Sequence, residues 1–121
     1  MNLQKYTEKA QEAVLSARQI AEEATHNQFE PTHLLLALVE QPEGVVPQIL
    51  SRINVERGSF VEALRDELEK LPKVYGGGGQ VYVSSPLADT TRRAEALAGQ
   101  MKDDYVSTEH LLLAMSDDAE K

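Results

Sequence analysis

The amino-acid sequence predicts an all-α fold of two pseudo-symmetric four-helix repeats, with the second repeat truncated at its carboxyl end. Apolar residues recur at intervals of three and four positions along several segments, which is typical of amphipathic helices. The string His-Leu-Leu-Leu-Ala occurs at 33–37 and recurs 77 positions later at 110–114, which indicates a duplicated unit. A run of four glycines separates the two copies and marks a boundary between them.

Repeat one is expected to contain four helices. Residues 7–25 carry a stripe of mostly alanine at helical spacing, and the Thr7 hydroxyl is expected to cap this first helix. Pro31 suits the first turn of the second helix, which is too apolar to be exposed and should be the buried centre of the repeat. Pro47 lies in the first turn of a short third helix, and Asn54 is expected to cap the fourth.

Repeat two is expected to follow a linker at 72–85, which we interpret as flexible with a short extended piece. Repeat one then spans 1–71 and the partial repeat two spans 86–121. Ser107 is expected to cap the helix that carries the second His-Leu-Leu-Leu-Ala string. The chain stops where copies of the third and fourth helices should begin. Either the second repeat is degenerate or the chain is a fragment of a longer protein, and we favour the fragment.

Composition argues against several functional classes. The chain has 121 residues, of which 41% are hydrophobic but only 5% aromatic, so we expect one domain with an aliphatic core. The net charge of −8 argues against binding to nucleic acid or to an anionic membrane surface. Cysteine is absent, and the sequence has neither a leader-like segment nor a membrane-spanning run. A cytoplasmic location is the simplest expectation.

The three histidines are expected to be structural. His33 and His110 occupy equivalent positions in the duplication, which by itself accounts for there being two of them. Neither lies in a metal-binding spacing such as HExxH, and His26 is expected to be isolated. Each ring should pack against a neighbouring helix with one nitrogen hydrogen-bonded. We therefore predict no metal site.

Nothing in the sequence favours catalysis. It has no cysteine nucleophile and no GxSxG motif, and its acidic runs are typical of solvated helix faces and loops. Hydrolysis by paired carboxylates is left open, although no pair stands out. The glycine run also lacks the spacing and the lysine of a phosphate-binding loop. We expect a binding module without a cofactor of its own, and a stand-alone enzyme of unknown activity is the last of three hypotheses.

Several longer motifs resemble the N-terminal Clp repeat domain of the Clp/Hsp100 family of AAA+ unfoldases. The matching stretches are YTEKAQ at 6–11, EPTHLLLALVEQ at 30–41, LPKV at 71–74, AEALA at 94–98 and the run at 103–114. Together they cover essentially the whole chain. Within the family the chain is most similar to the disaggregase branch, ClpB, because LPKV is followed by a longer glycine-rich linker than in the ClpC and ClpA branches.

The resemblance implies a domain tethered flexibly to a hexameric ATPase. Such a domain contacts unfolded or aggregated polypeptide and helps deliver it to the pore of the ring, and in isolation it should be monomeric. The alternative is an adaptor-docking domain of the ClpC or ClpA type, whose partner is an adaptor or co-chaperone. This chain has no Walker A motif, so ATP and Mg²⁺ would belong to AAA+ modules that it does not contain.

The resemblance also suggests which polar residues contact substrate. Thr7, Asp103 and Glu109 match positions that the family associates with substrate handling. Two of them have a purely structural alternative. Thr7 would serve as a helix cap, and the carboxylate of Glu109 would be stabilised by the dipole at the start of its helix. The full set of predicted substrate contacts is Thr7, Thr91, Asp103, Tyr105, Glu109 and His110.

An apolar groove between the two halves is a further expectation from the family. Here Thr91 and His110 would make that groove more polar than usual, which disfavours purely aliphatic segments as ligands. Leu87, Tyr105 and Val106 would still accept a peptide.

Overall fold

Six α-helices make up most of the part of the chain that the structure describes. The computed structural model describes residues 2–74 and 80–119, with side chains as far as Ser116. The all-α prediction is confirmed. The elements are a 3-10 turn (Leu3–Lys5), α1 (Glu8–Glu23), β1 (Gln28–Phe29), α2 (Pro31–Glu40), α3 (Val45–Arg52), α4 (Arg57–Glu69), β2 (Tyr82–Val83), α5 (Ser85–Gln100) and α6 (Thr108–Ala119).

The duplication is visible at the ends of the helices. α1 and α5 are each 16 residues long and follow equivalent caps, since the hydroxyls of Thr7 and Ser84 each accept from an amide of the first turn at 3.2 Å. Both helices are followed by a left-handed turn, at Thr25 and Lys102, each with a φ of 59°. Each pair is 77 positions apart, as the two repeated strings are, so the prediction of two pseudo-symmetric repeats is confirmed.

The two repeats exchange the segments that lead into them. β2 leads into α5 but pairs in parallel with β1 of repeat one, and the Ser84 N–H donates to the Phe29 carbonyl at 3.0 Å. We call this pairing the repeat-one junction. In the repeat-two junction, the chain before α1 pairs with the chain before α6, and the Thr7 N–H donates to the Val106 carbonyl at 2.9 Å. Each repeat is therefore completed by a segment of the other.

Both ends of the predicted linker are attached to repeat one. Residues 75–79, which hold the four glycines, lie outside the described residues. Before them, the Val74 N–H donates to the Thr25 carbonyl at 2.8 Å. After them, Val81 is buried, the expected short extended piece is present as β2, and Ser85 begins α5.

The cap expected for the fourth helix is wrong. α4 begins at Arg57 after Glu56, whereas Asn54 lies in a left-handed turn with a φ of 62° directly after α3. Its N–H donates to the Ser51 carbonyl at 3.1 Å and so closes the end of α3. Asparagine tolerates the left-handed conformation better than most residues, which explains why a residue type that often starts helices here ends one.

α2 is the buried centre of repeat one, as predicted. Leu34, Leu36 and Leu38 are fully buried, because α1 covers one side of this helix and α4 covers another. The equivalent of Leu36 in α6 is Leu113, which is 47% exposed, since the described part of repeat two contains no counterpart of α4. Among the described helices, none is both long and apolar enough to cross a membrane.

Candidate functional site

The segment between α5 and the first turn of α6, residues 103–110, carries most of the predicted contacts. Lys102 is left-handed and turns the chain away from α5, and the Asp103 N–H then donates back to a carbonyl of that helix at 2.9 Å. Three residues further on, the Val106 N–H donates to the Lys5 carbonyl at 2.8 Å. The 103–110 segment is therefore held both by α5 and by the start of the chain.

His110 fixes the carboxylate of Asp103. Its ring is buried and its Nδ1 accepts from the Ser107 N–H at 2.8 Å, so the neutral ring carries its proton on Nε2. Nε2 donates to the Asp103 carboxylate at 3.0 Å, while the Asp103 side chain is 49% exposed. Ser107 caps α6 as predicted, because its hydroxyl accepts from the His110 N–H at 3.4 Å. The ring thus joins the helix cap to an accessible carboxylate, with both nitrogens engaged rather than the expected one.

The equivalent pair in repeat one consists of two histidines. His33 is fully buried, its Nδ1 accepts from the Glu30 N–H at 2.9 Å, and its Nε2 lies 2.9 Å from Nδ1 of His26. The expectation that His26 is isolated is therefore wrong. His26 stands 77 positions before Asp103, so the duplication itself contained a signal for this contact.

Burial lowers the pKa of both rings of repeat one. The pKa of His33 falls to about 4, chiefly because the ring is buried and then because His26 lies beside it. The pKa of His26 is also lowered, by burial first and then by the positive charge of Lys73, against an opposing effect of Glu69. Both rings are therefore neutral near pH 7.

Three other predicted contacts lie in the same region. Tyr105 is 55% exposed, and Glu109 is exposed in the first turn of α6. Thr7 is half-buried, and besides capping α1 it pairs with the 103–110 segment through its backbone. The structure therefore brings Thr7, Asp103, Tyr105, Glu109 and His110 together around one segment.

Thr91 lies in the middle of α5, outside the 103–110 segment. It is buried in α5, where its hydroxyl donates to the Ala88 carbonyl at 2.8 Å, and its role in substrate binding stays a prediction. Leu87 and Val106 belong to the hydrophobic core, so the expectation that they accept a peptide in an apolar groove is wrong. They share the buried side of repeat two because α6 packs against α5 there.

A surface groove of about 400 Å³ opens beside Asp103. Three carboxylates, those of Glu95, Asp103 and Asp104, face one lysine, Lys5, so the groove suits a ligand with positive charge. The position of Asp104 next to Asp103 in the sequence is a signal that it belongs to the site. Glu95 has no such signal, because only the tertiary structure brings α5 beside the start of the chain. Among the described residues, no three candidate metal ligands converge. The groove is lined by Asn2, Lys5, Glu95, Ala98, Gly99, Asp103, Asp104 and Val106.

Comparison with known proteins decides the family. Residues 5–121 match the family model described as the Clp repeat (R) N-terminal domain. The chain belongs to this family. The resemblance indicated by the sequence motifs is thus confirmed: the chain is a Clp N-domain.

Curated relatives of the Clp N-domain are ClpB chaperones. The chaperone protein ClpB of Bdellovibrio bacteriovorus is 42% identical over 109 residues, which cover 90% of this chain and 13% of the relative. The chain thus spans about one seventh of the length of such relatives. The Hsp104 N-terminal domain from Candida albicans superposes with a TM-score of 0.86 at 25% identity, covering 96% of this chain and 76% of that one. The N-terminal domain of the ClpV1 ATPase from E. coli, at 20% identity and a TM-score of 0.88, covers 98% of this chain and 71% of its own, and supports the fold alone.

Proposed function

We propose that the Clp N-domain is the substrate-engaging domain of a ClpB-type disaggregase. It binds exposed segments of misfolded or aggregated polypeptide and helps deliver them to an ATPase ring, while ATP and Mg²⁺ are bound by other modules. The observation that carries the proposal is the 103–110 segment, where a carboxylate oriented by His110 stands next to an exposed tyrosine. The domain itself acts as a binding module.

The chemistry of this region favours segments that combine basic and apolar residues. Asp103 needs no reorganisation to receive a lysine or arginine, since His110 already holds its carboxylate in place. Tyr105 offers an exposed ring for an aromatic, aliphatic or cationic side chain. Glu109 adds a second carboxylate at the start of α6. A purely aliphatic segment would remove water from these carboxylates without offering them a hydrogen-bond donor of its own.

Each individual contact in this mechanism is weak. The carboxylates are partly exposed, so water and salt screen their attraction to a cationic side chain. Weak binding is sufficient if six tethered copies surround one ring, because tethering raises the effective concentration of the binding sites. Rapid release also suits a domain that passes its ligand on to a pore.

The binding of a fluorescent, permanently unfolded polypeptide tests this proposal. We expect Asp103→Asn combined with Glu109→Gln to weaken binding by about fivefold or more in an anisotropy titration, because two charge-assisted contacts are lost. The matched control is Asp66→Asn combined with Glu62→Gln, which removes the same charge from the exposed surface of α4. Equal weakening by both double variants would mean that only net charge matters, and absence of binding would contradict the proposal.

The alternative ligand, a folded adaptor, has a distinct outcome. A pull-down with the Clp N-domain that recovers one folded partner and no unfolded chains would favour adaptor docking of the ClpC or ClpA type. Recovery of many unrelated unfolded chains, reduced by Asp103→Asn, would support substrate engagement.

A further inference from the structure

We infer that the two repeats respond differently to acid. Protonation of the buried His26–His33 pair opens the repeat-one junction, whereas the equivalent Asp103–His110 pair keeps the repeat-two junction closed. This inference does not depend on the proposed function, because it rests on the His26–His33 and Asp103–His110 contacts and on the chain segments attached near them.

The hydrogen bonds of His33 leave no place for an additional proton. Its Nδ1 accepts from the Glu30 N–H at 2.9 Å, so the neutral ring carries its proton on Nε2 and donates to Nδ1 of His26 at 2.9 Å. A second proton on His33 would face the Glu30 N–H. A proton on Nδ1 of His26 would face the donor of His33. Every protonated form of the pair therefore loses a hydrogen bond inside the protein.

The charged groups around the pair do not offset this loss. The Glu30 carboxylate, at the start of α2, already accepts from the His33 N–H. Glu23 of α1 and Arg65 and Glu69 of α4 surround His26 on its open side, and Lys73 follows α4. Arg65 is held by the Glu40 carboxylate, with its Nη2 3.1 and 3.0 Å from the two oxygens. Within the described part of the chain, Nε2 of His26 is buried without a hydrogen-bond partner. Neither nearby carboxylate, that of Glu23 or that of Glu69, therefore accepts a hydrogen bond from this nitrogen.

In repeat two the partner of the histidine is a carboxylate rather than a second ring. Nε2 of His110 donates to the Asp103 carboxylate, an acceptor that is retained when the ring becomes positively charged. A proton on Nδ1 would displace the Ser107 N–H, which donates to this nitrogen at 2.8 Å, but the Ser107 hydroxyl oxygen lies 3.0 Å away and can accept that proton instead. An imidazolium in repeat two therefore keeps a carboxylate partner at Nε2, whereas an imidazolium in repeat one has a second ring in that place.

The histidine pair of repeat one lies where two other chain segments are attached. Thr25, directly before His26, accepts from the Val74 N–H at 2.8 Å, and Asn27, directly after it, accepts from the Tyr82 N–H at 2.9 Å. A displacement of His26 therefore disturbs both attachments at once. The result is release of β2, and with it the segment that leads into α5, from repeat one.

The direction of the pH effect follows from proton binding. In the unfolded chain a histidine takes up a proton near pH 6.5, whereas burial holds the pKa of His33 at about 4. The unfolded or open state thus binds more protons between these values, so the stability of the repeat-one junction is full above pH 6.5 and falls as the pH decreases toward 4.

Amide hydrogen exchange at pH 7.5 and 5.0 tests the inference, after correction for intrinsic exchange rates. We expect the protection of the Tyr82 and Ser84 amides to fall by about tenfold or more, and that of the Thr7 and Val106 amides to stay within about twofold. Equal loss at both junctions would overturn the inference, since it would indicate a general effect of carboxylate protonation.

Reciprocal variants provide the matched controls. His26→Asp gives repeat one the pair found in repeat two, and we expect its junction to lose acid sensitivity. Asp103→His gives repeat two the histidine pair, and its junction should lose protection by about threefold or more at pH 5.0, a smaller effect because position 103 is more exposed. If His26→Asp does not fold, Asp103→His alone decides, and unchanged protection at the repeat-two junction would contradict the inference.

Discussion

At the scale of single residues, duplication has conserved a histidine and changed its partner. His33 and His110 accept from the amide of the helix cap in the same way, yet one ring meets a histidine and the other an aspartate. The sequence could predict the equivalence of the two positions, because a shift of 77 aligns them. It could not predict which ring nitrogens are engaged, because that depends on the left-handed turn before each partner.

The two equivalent caps should contribute equally to stability. Thr7→Ala and Ser84→Ala each remove a hydroxyl that accepts from a first-turn amide at 3.2 Å. We expect each substitution to lower the free energy of unfolding by about 1 kcal/mol, measured by urea denaturation. If only one of them had an effect, the helix starts would not be equivalent.

Tyr6→Phe should leave stability unchanged or raise it slightly. Burial, and then the negative charge of Glu95, raises the pKa of the Tyr6 hydroxyl to about 12, and this buried oxygen lacks a hydrogen-bond partner among the described residues. Removing it retains the buried ring and relieves an unsatisfied polar group, so we expect a gain of up to about 1 kcal/mol. Tyr105→Phe, at an exposed ring, is the control, and a loss of stability specific to Tyr6→Phe would reveal a partner for the hydroxyl.

At the scale of helices and strands, apolar periodicity predicts where the helices lie, but it does not predict which segments pair or pack across long distances in the chain. The positions of α1 and α2 and the central burial of α2 follow from apolar spacing and caps, which are properties of consecutive residues. The prediction that Asn54 caps α4 is wrong because asparagine, which often starts helices, also favours the left-handed turn that it adopts here. Leu87 was expected to be accessible, but the packing of α6 against α5 buries it.

Equivalent leucines of α2 and α6 should differ in their importance for stability. Leu36 is fully buried between helices, so Leu36→Ala should cost about 2–5 kcal/mol. Leu113 is 47% exposed, so Leu113→Ala should cost less than about 1 kcal/mol in this chain. Urea denaturation of both variants checks the difference, and equal losses would show that α6 is covered in solution.

At the scale of the whole molecule, the exchange of leading segments makes the two repeats one unit. Detachment of β2, or of the chain before α1, would break backbone hydrogen bonds to the other repeat. The sequence pattern does not predict this exchange, because each pairing involves only two or three residues that are distant along the chain. The candidate site depends on it as well, since Thr7 reaches the 103–110 segment only through the repeat-two junction.

Substrate binding by the 103–110 segment is tested most directly by amide chemical shifts during titration with an unfolded polypeptide that contains basic and apolar residues. We predict shifts at 103–110, at Thr7 and along the groove at Glu95, with none at the equivalent residues 26–33. Asp103→Asn should reduce these shifts at a given ligand concentration. Shifts centred on 26–33, or no shifts at millimolar ligand, would contradict the proposed function.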